Sequence, residues 1–309
     1  MKRNSLKIMS AALALTTILS ISATKTSAYT RNVDLAPMSS GFDSVGREHK
    51  SLKGIATKSL SAYSRVGVSI ASKSLSVQGV IINGVSYIPF RQAASAISGS
   101  SYSYDSKTKT SVMRAPGLEI IAGDGCYVTY ANDRVLFSTT PNVIMSDGRM
   151  YGPASVFAKA VGMSIREDGR TVSLTGSYSP ILHASKFYRE DEVFWLARII
   201  HAESRGEALI GQIAVGNVVL NRVRSAYYPN TIYGVIFDRK YGVQFSPILD
   251  GSIYNTPGFT ATLAAKIALE GVDVTDGAFF FLNVKLATSS WIPLNRGYAF
   301  TIGNHDFYY

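Results

Sequence analysis

Apolar positions along the chain follow three rhythms. The first is unbroken: residues 8–23, IMSAALALTTILSISA, stand behind Lys2, Arg3 and Lys7 and end in small residues at Ala23 and, further on, Ala28. That arrangement predicts an export signal over residues 1–28, too short for a membrane span and with no second apolar segment behind it. The second rhythm fills residues 77–175, where short alternating runs are broken by Gly and Asp turns, as in strands. The third begins at Arg189. Val193, Leu196, Ala197, Ile199 and Ile200 recur at helical spacing and predict a helix ending near Arg205-Gly206. A second helix is expected from Glu207 to about Arg224, with Gly211 and Gly216 allowing close helix contact. Between the signal and the strands, residues 29–76 are rich in Ser, Lys and Arg, which predicts a basic linker.

The alternating block contains a faint internal repeat. INGVSYIPFRQAASAISGSSYSYDSKTKTSVM and MSDGRMYGPASVFAKAVGMSIREDGRTVSL each run through a Gly turn, an aromatic strand, a Pro, an apolar helix, a Gly and two strands. Pro has no N–H to leave unsatisfied at a helix start, and Gly accepts the positive φ at a helix end, so the pair brackets each helix. Two such units predict a small duplicated strand–helix–strand domain over residues 77–180, and the chain as a whole is expected to be α+β. The block resembles the copper amine oxidase N-terminal-like domain. No copper site is expected, because no His lies between Val77 and Pro180. The stretch TGSYSPILHASK (175–186) reads as a junction.

With 309 residues the chain has room for two modest domains. Its formal net charge is +10, and without the four cations of the signal (Lys2, Arg3, Lys7, Lys25) it is +6. This charge favours an anionic polymer surface, with anionic wall polymers as candidate partners. No helix-turn-helix or basic–aromatic strand motif supports nucleic acid. Cys126 is the single cysteine, so no intrachain disulfide forms. It reads as a small core residue, and no Cys/His spacing suits zinc.

The acid Glu203 continues the apolar stripe of the first predicted helix, in IIHAESRGEALIGQ (199–212). Partial burial and the negative end of a helix both disfavour a carboxylate, so both raise its pKa, as a general acid at neutral pH requires. Glu207 opens the next helix, where the dipole favours its charged form. The alternative is that Glu203 merely pairs with Arg198, Arg205 or Arg222.

Residues 187–309 resemble the catalytic domain of SleB-type cell wall hydrolases, the spore cortex-lytic enzyme family. The motifs are Glu203-Ser204-Arg205-Gly206-Glu207, the GQIAVGNVVLNRV helix, QFSP with Asp250-Gly251, and the closing TIGNHDFYY. The resemblance implies a mainly helical, lysozyme-like domain with a short β element. It also implies cleavage of peptidoglycan glycan strands between N-acetylmuramic acid and N-acetylglucosamine, with Glu203 as general acid and base. No cofactor is implied. Ser204 stands where Ala is usual, and the N-terminal domain differs from that of the best-known members, which leaves spore cortex and vegetative wall both open as substrates.

A hydrolytic glycosidase uses a second carboxylate, for which Glu207, Asp250 and Asp306 are available without a pattern. A lytic transglycosylase needs only one acid, because the muramic C6 hydroxyl attacks internally. Glu207, Gln244, Phe245, Ser246, Tyr298 and His305 are the candidate substrate-binding residues, and Tyr241, Tyr254 and Trp291 offer further flat surfaces. Two other readings compete. A metal site from His201, Glu203, His305 and Asp306 suffers because residues two apart on a helix face different sides. A non-catalytic wall-binding protein would not need the intact Glu203. The chain is therefore expected to be secreted and associated with a cell wall or spore.

Overall fold

The computed structural model describes residues 63–144, 147–240, 242–287 and 290–309. The expected export signal and most of the expected linker lie outside them. The linker ends earlier than Ser76, because Ser64–Ile70 is strand β1. Val66, Val68 and Ile70 alternate into the core, a period-2 signal diluted in the sequence by flanking Ser and Lys.

Twelve further strands and two helices complete the first half among the described residues, in this order: β2 (Lys73–Ser74), β3 (Gly79–Ile82), β4 (Val85–Pro89), α1 (Phe90–Ser95), β5 (Ser101–Asp105), β6 (Thr110–Ala115), β7 (Leu118–Gly123), β8 (Val128–Ala131), β9 (Arg134–Phe137), β10 (Val143–Ile144), β11 (Met150–Pro153), α2 (Ala154–Val161), β12 (Ser164–Glu167) and β13 (Thr171–Thr175). One sheet runs β10-β11-β4-β3-β1-β13-β12, with β2 beside β1. Its β1 and β13 are parallel, and the strands β5 to β9 form an antiparallel meander. Helices α1 and α2 pack into the shared core through Phe90, Ala93, Phe157 and Val161. The two repeat copies thus share an element order but not a sheet: β5–β6 joins the meander, and β12–β13 joins the larger sheet. Gly162 closes α2 at φ 69°, and a Cβ there would collide with the carbonyl oxygen of Ser179, so conformation and packing both require glycine.

The second half is mainly helical. After α3 (Ala184–Phe187) come α4 (Glu190–Ser204), α5 (Leu209–Arg224), α6 (Ile232–Ile236), α7 (Phe259–Leu269), β14 (Phe280–Leu282), α8 (Trp291–Asn295), β15 (Tyr298–Ile302) and β16 (His305–Tyr308). Helix α5 is buried from Gly211 to Arg222, with α4 and α7 packed on it. Gly216 makes this possible, since a Cβ there would lie 2.9 Å from Ile200 of α4 and 3.4 Å from Ala268 of α7. Gly211 instead accommodates the Glu207 side chain. The polar residues of α5 hold the chain that follows α7. Asn217 donates to the Val272 carbonyl and accepts from the Val274 N–H, and Asn221 donates to Thr275 Oγ1 and the Ala278 carbonyl. This fixes where β14 starts, and the sheet β14-β16-β15 is laid against α5. No helix among the described residues is long and apolar enough to cross a membrane.

The two halves are joined through Glu270, whose side chain is fully buried just after α7. Arg134 of β9 binds its carboxylate through two nitrogens at 2.8 and 2.7 Å. Tyr188 donates to it at 2.7 Å and Lys159 of α2 approaches at 3.0 Å. The Arg134 guanidinium also covers the Phe187 ring at 3.3 Å. Burial alone would raise the Glu270 pKa. Hydrogen bonds from Arg134, Tyr188 and Lys159 outweigh burial and hold it below the ordinary glutamate value.

Replacing Glu270 with Ala leaves Arg134 buried without its partner, and should lower unfolding free energy by about 3–5 kcal/mol. A carboxylate with a lowered folded pKa stabilises the fold above its unfolded pKa and loses that contribution as pH falls through the folded value. Urea unfolding at pH 7 should therefore separate wild type and Glu270→Ala widely, and the gap should shrink below about pH 4.

Candidate active site

Helix α4 begins with Glu190, Asp191 and Glu192, acids that suit a helix N-terminus. It ends with Glu203 and Ser204, where the dipole is unfavourable to an anion. Glu203 is partly buried, and its pKa is pushed up to about 7. Burial is the main cause, the charge of Asp250 adds to it, and the Arg222 cation opposes it. Among the described residues none makes a hydrogen bond or ion pair with the Glu203 carboxyl. Arg198 is turned instead to the carbonyls of Tyr254 and Asn255. With no donor among the described residues, the acid is held near neutrality and can give a proton to something outside the protein.

Two neighbours tune it. Arg222, in the last turn of α5, is buried, donates through Nε to the Phe279 carbonyl at 2.8 Å, and lies 5.2–5.3 Å from the rings of Tyr228, Phe245 and Phe280. It acts on Glu203 as a charge without an ion pair. Asp250 is exposed, and hydrogen bonds from the Ser252 hydroxyl and from the Ser252 N–H, the latter at 2.8 Å, keep its pKa low. It therefore stays ionised while Glu203 is protonated. The Arg in LNRV and the Asp in the DG pair were visible in the sequence; their electrostatic coupling to Glu203 was not.

The other expected site residues divide. The Glu207 carboxylate accepts from the Asn304 N–H at 3.1 Å and from Asn304 Nδ2 at 2.9 Å, in the turn between β15 and β16. It ties this hairpin to the start of α5, and a Cβ at Gly303 would strike it. That gives Glu207 a structural task. His305 is buried beside it, with Nδ1 3.7 Å from Glu207 Oε1 and the ring edge-on to Phe281. Burial lowers the His305 pKa, against the pull of Glu207. Phe245 is also buried, packed on Phe281 and Arg222, so it is a wall of the site and no open platform for a sugar. Gln244 is half-buried and donates to the Gly242 carbonyl, and Ser246 is exposed. Tyr298 is exposed on β15, where its hydroxyl meets Thr301 Oγ1 at 2.8 Å. Thr301 in turn donates to Asp306, on the opposite face of β16 from His305. Tyr241 lies outside the described residues.

A metal centre finds no support in this donor set. His201 Nδ1 accepts from the Gly258 N–H at 3.3 Å. Among the described residues no group of three or more His, Cys, Asp or Glu side chains could hold a metal ion. Cys126, in the strand-rich half, is buried, and no imidazole lies in that block to complete a copper site.

Comparison with known proteins agrees with this division. Residues 206–308 match the Cell Wall Hydrolase family, and residues 68–175 match the Copper amine oxidase N-terminal domain. The spore cortex-lytic enzyme of Bacillus cereus is 42% identical over 120 residues, which are 39% of this chain and 45% of that protein. The spore cortex-lytic enzyme of Bacillus subtilis is 37% identical over 120 residues, 39% of this chain and 38% of that protein. The chain thus spans less than half the length of these curated relatives. A solved structure, the catalytic domain of the germination-specific lytic transglycosylase SleB from Bacillus anthracis, is 41% identical, with a TM-score of 0.36, and covers 40% of this chain and 97% of its own. The C-terminal part of the chain is thus similar to the cell wall hydrolase family, and a segment similar to the copper amine oxidase N-terminal domain precedes it. The family match begins just after Glu203, so the role of this residue rests on its geometry and electrostatics.

A glutamate whose folded pKa is raised destabilises the fold once pH exceeds its unfolded pKa, because the unfolded chain then ionises more readily. Glu203→Gln should therefore be more stable than wild type by about 1–3 kcal/mol at pH 8, with the difference vanishing toward pH 4. Thermal unfolding of both proteins across this range checks it. Parallel curves would mean that Glu203 is not perturbed.

Proposed function

We propose that the C-terminal domain, read as residues 187–309, cleaves peptidoglycan glycan strands as a lytic transglycosylase. The target is the bond between N-acetylmuramic acid and N-acetylglucosamine. The observation that carries this reading is Glu203: an acid with a pKa of about 7, without a donor among the described residues, at the end of a helix. Similarity to the cell wall hydrolase family supports the substrate class. The same proposal includes the finer architecture, a lysozyme-like helical domain behind a duplicated domain over residues 77–180, in a secreted, wall- or spore-associated protein that also contacts anionic wall polymers.

In this mechanism Glu203 gives its proton to the leaving glycosidic oxygen. The muramic C6 hydroxyl attacks the anomeric carbon, and its proton returns to Glu203. The bond to the leaving sugar is exchanged for an internal 1,6-anhydro bond, and no water is consumed. Arg222 steadies the carboxylate formed in mid-reaction. Phe245 and Phe281 wall the site, and Gln244, Ser246 and Tyr298 are the proposed polar and aromatic contacts to the strand.

Asp250 favours a second reading. Its charge reaches Glu203, and a carboxylate there could activate water in a hydrolytic muramidase. Mass spectrometry of muropeptides separates the two. Anhydro-muramic ends, lighter than hydrolysed ends by one water, are expected with wild type. Reducing muramic ends would establish hydrolysis, and no cleavage would favour a wall-binding protein. Glu203→Gln should lower the cleavage rate by about 10²–10⁴-fold while wall binding persists.

Because Glu203 must be protonated to act, kcat/KM should fall as pH rises through about 7. Asp250 raises the Glu203 pKa, so Asp250→Asn should move this limb to lower pH. Loss of all activity in Asp250→Asn, instead of a moved limb, would assign Asp250 a direct part in the chemistry.

A further inference from the structure

The described residues include a concave site at the opposite end of α4 from Glu203. It is a cavity of about 190 Å³ between the N-terminal turns of α4, the C-terminal turns of α5, and α6. Its floor is apolar, with Leu220, Val223, Ile232 and Leu269. One wall is aromatic: Trp195 and Tyr233 stand edge to face with centroids 5.3 Å apart, and Tyr233 is half exposed. The rim is polar and exposed, with Arg189, Asp191, Asn230 and Thr231. None of these residues serves the chemistry at Glu203.

We propose that this cavity binds one neutral amino sugar, an N-acetylglucosamine-type unit. An apolar floor and aromatic wall suit the C–H face of a pyranose, and the amide of Asn230 and the carboxylates of Asp191 and Glu192 suit its hydroxyl and acetamido groups. The volume lies below the ~300–1,000 Å³ of pockets that enclose a drug-sized ligand, and so matches a single ring. Charge sets the selectivity. The lining carries two carboxylates, Asp191 and Glu192, against the single cation Arg189, which pairs with both at 3.0 and 3.7 Å. An anionic ligand such as muramic acid or a phosphate polymer would meet surplus negative charge and a guanidinium already engaged.

The site also lies on a path to the acid. Trp195 touches Tyr254, centroids 6.4 Å apart, and Tyr254 is strongly exposed in the turn that follows Asp250. Asp191 and Glu203 are separated by about 18 Å along α4. A glycan strand laid along this helix would have a distal sugar held while another bond is cut. That last step rests on the lytic reading above; recognition of the amino sugar does not.

Trp195 and Trp291 are the two tryptophans of the chain, which makes the site directly readable. In the full chain carrying Trp291→Phe and Glu203→Gln, Trp195 is the sole tryptophan reporter and turnover is blocked. Titration with a β-1,4 N-acetylglucosamine trimer should give a saturable change in its emission. N-acetylmuramic acid should bind at least about tenfold more weakly, and adding Asp191→Ala with Asn230→Ala should weaken the trimer by about tenfold or more. Both positions are exposed, and circular dichroism verifies folding. Equilibrium dialysis with labelled trimer covers binding that leaves the emission unchanged. Absence of binding in both measurements overturns the proposal, as does binding that survives the double substitution or fails to discriminate against muramic acid. Because no cleavage is measured, a negative result leaves the muropeptide outcome untouched, and the reverse also holds.

Discussion

A carboxylate taken out of water must either be saturated with donors or keep its proton, and the described residues hold an example of each. Glu270 is fully buried and receives Arg134, Tyr188 and Lys159, so it is held ionised. Glu203 is partly buried and receives none of them, so it is held near pH 7. The contrast is one of supply. Donors for Glu270 come from both halves of the molecule, which makes the ion cluster a joint between them. The cation whose charge acts on Glu203, Arg222, is turned toward the Phe279 carbonyl and three aromatic rings. What makes the first acid structural makes the second reactive.

The position of Arg222 follows from α5. Asn217, Asn221 and Arg222 lie on one side of a helix that is otherwise apolar, and each hydrogen-bonds backbone or side-chain groups in residues 272–279. The helix thereby holds both its packing partners and the start of the sheet β14-β16-β15. Glu207 closes the arrangement from the other end by gripping Asn304. The hairpin that carries His305 and Tyr298 is held at its turn, and the buried His305 lies beside this clamp.

Much of this was legible from periodicity. The end of α4 and the whole of α5 lie within two residues of where apolar spacing places them, and the burial that chiefly raises the Glu203 pKa follows from its stripe position. Strand β1 was missed because three alternating apolar residues in a Ser- and Lys-rich context resemble a linker. The contacts of Glu207 with Asn304 and the burial of Phe245 were not legible for another reason. Sequence shows which residue types a motif contains, but whether a side chain faces the groove or the clamp depends on partners nearly a hundred residues away, such as Asn304 for Glu207.

Asp250 has a part in either reading of the chemistry. It is exposed and anchored by the Ser252 N–H, so it stays ionised at neutral pH and repels charge on Glu203. A like-charge neighbour in a better-solvated position is a standard way to separate two carboxyl pKa values, one kept as acid and one as anion. In a one-acid mechanism this is all Asp250 has to do, since the proton returns to Glu203 from the sugar's own hydroxyl. In a hydrolytic mechanism the same anion would need to lie across the scissile bond, with room for water between the two groups. The coupling alone fits both geometries. The single acid is the more economical account, because an exposed aspartate fixed by its own loop has already discharged its electrostatic role without touching the substrate.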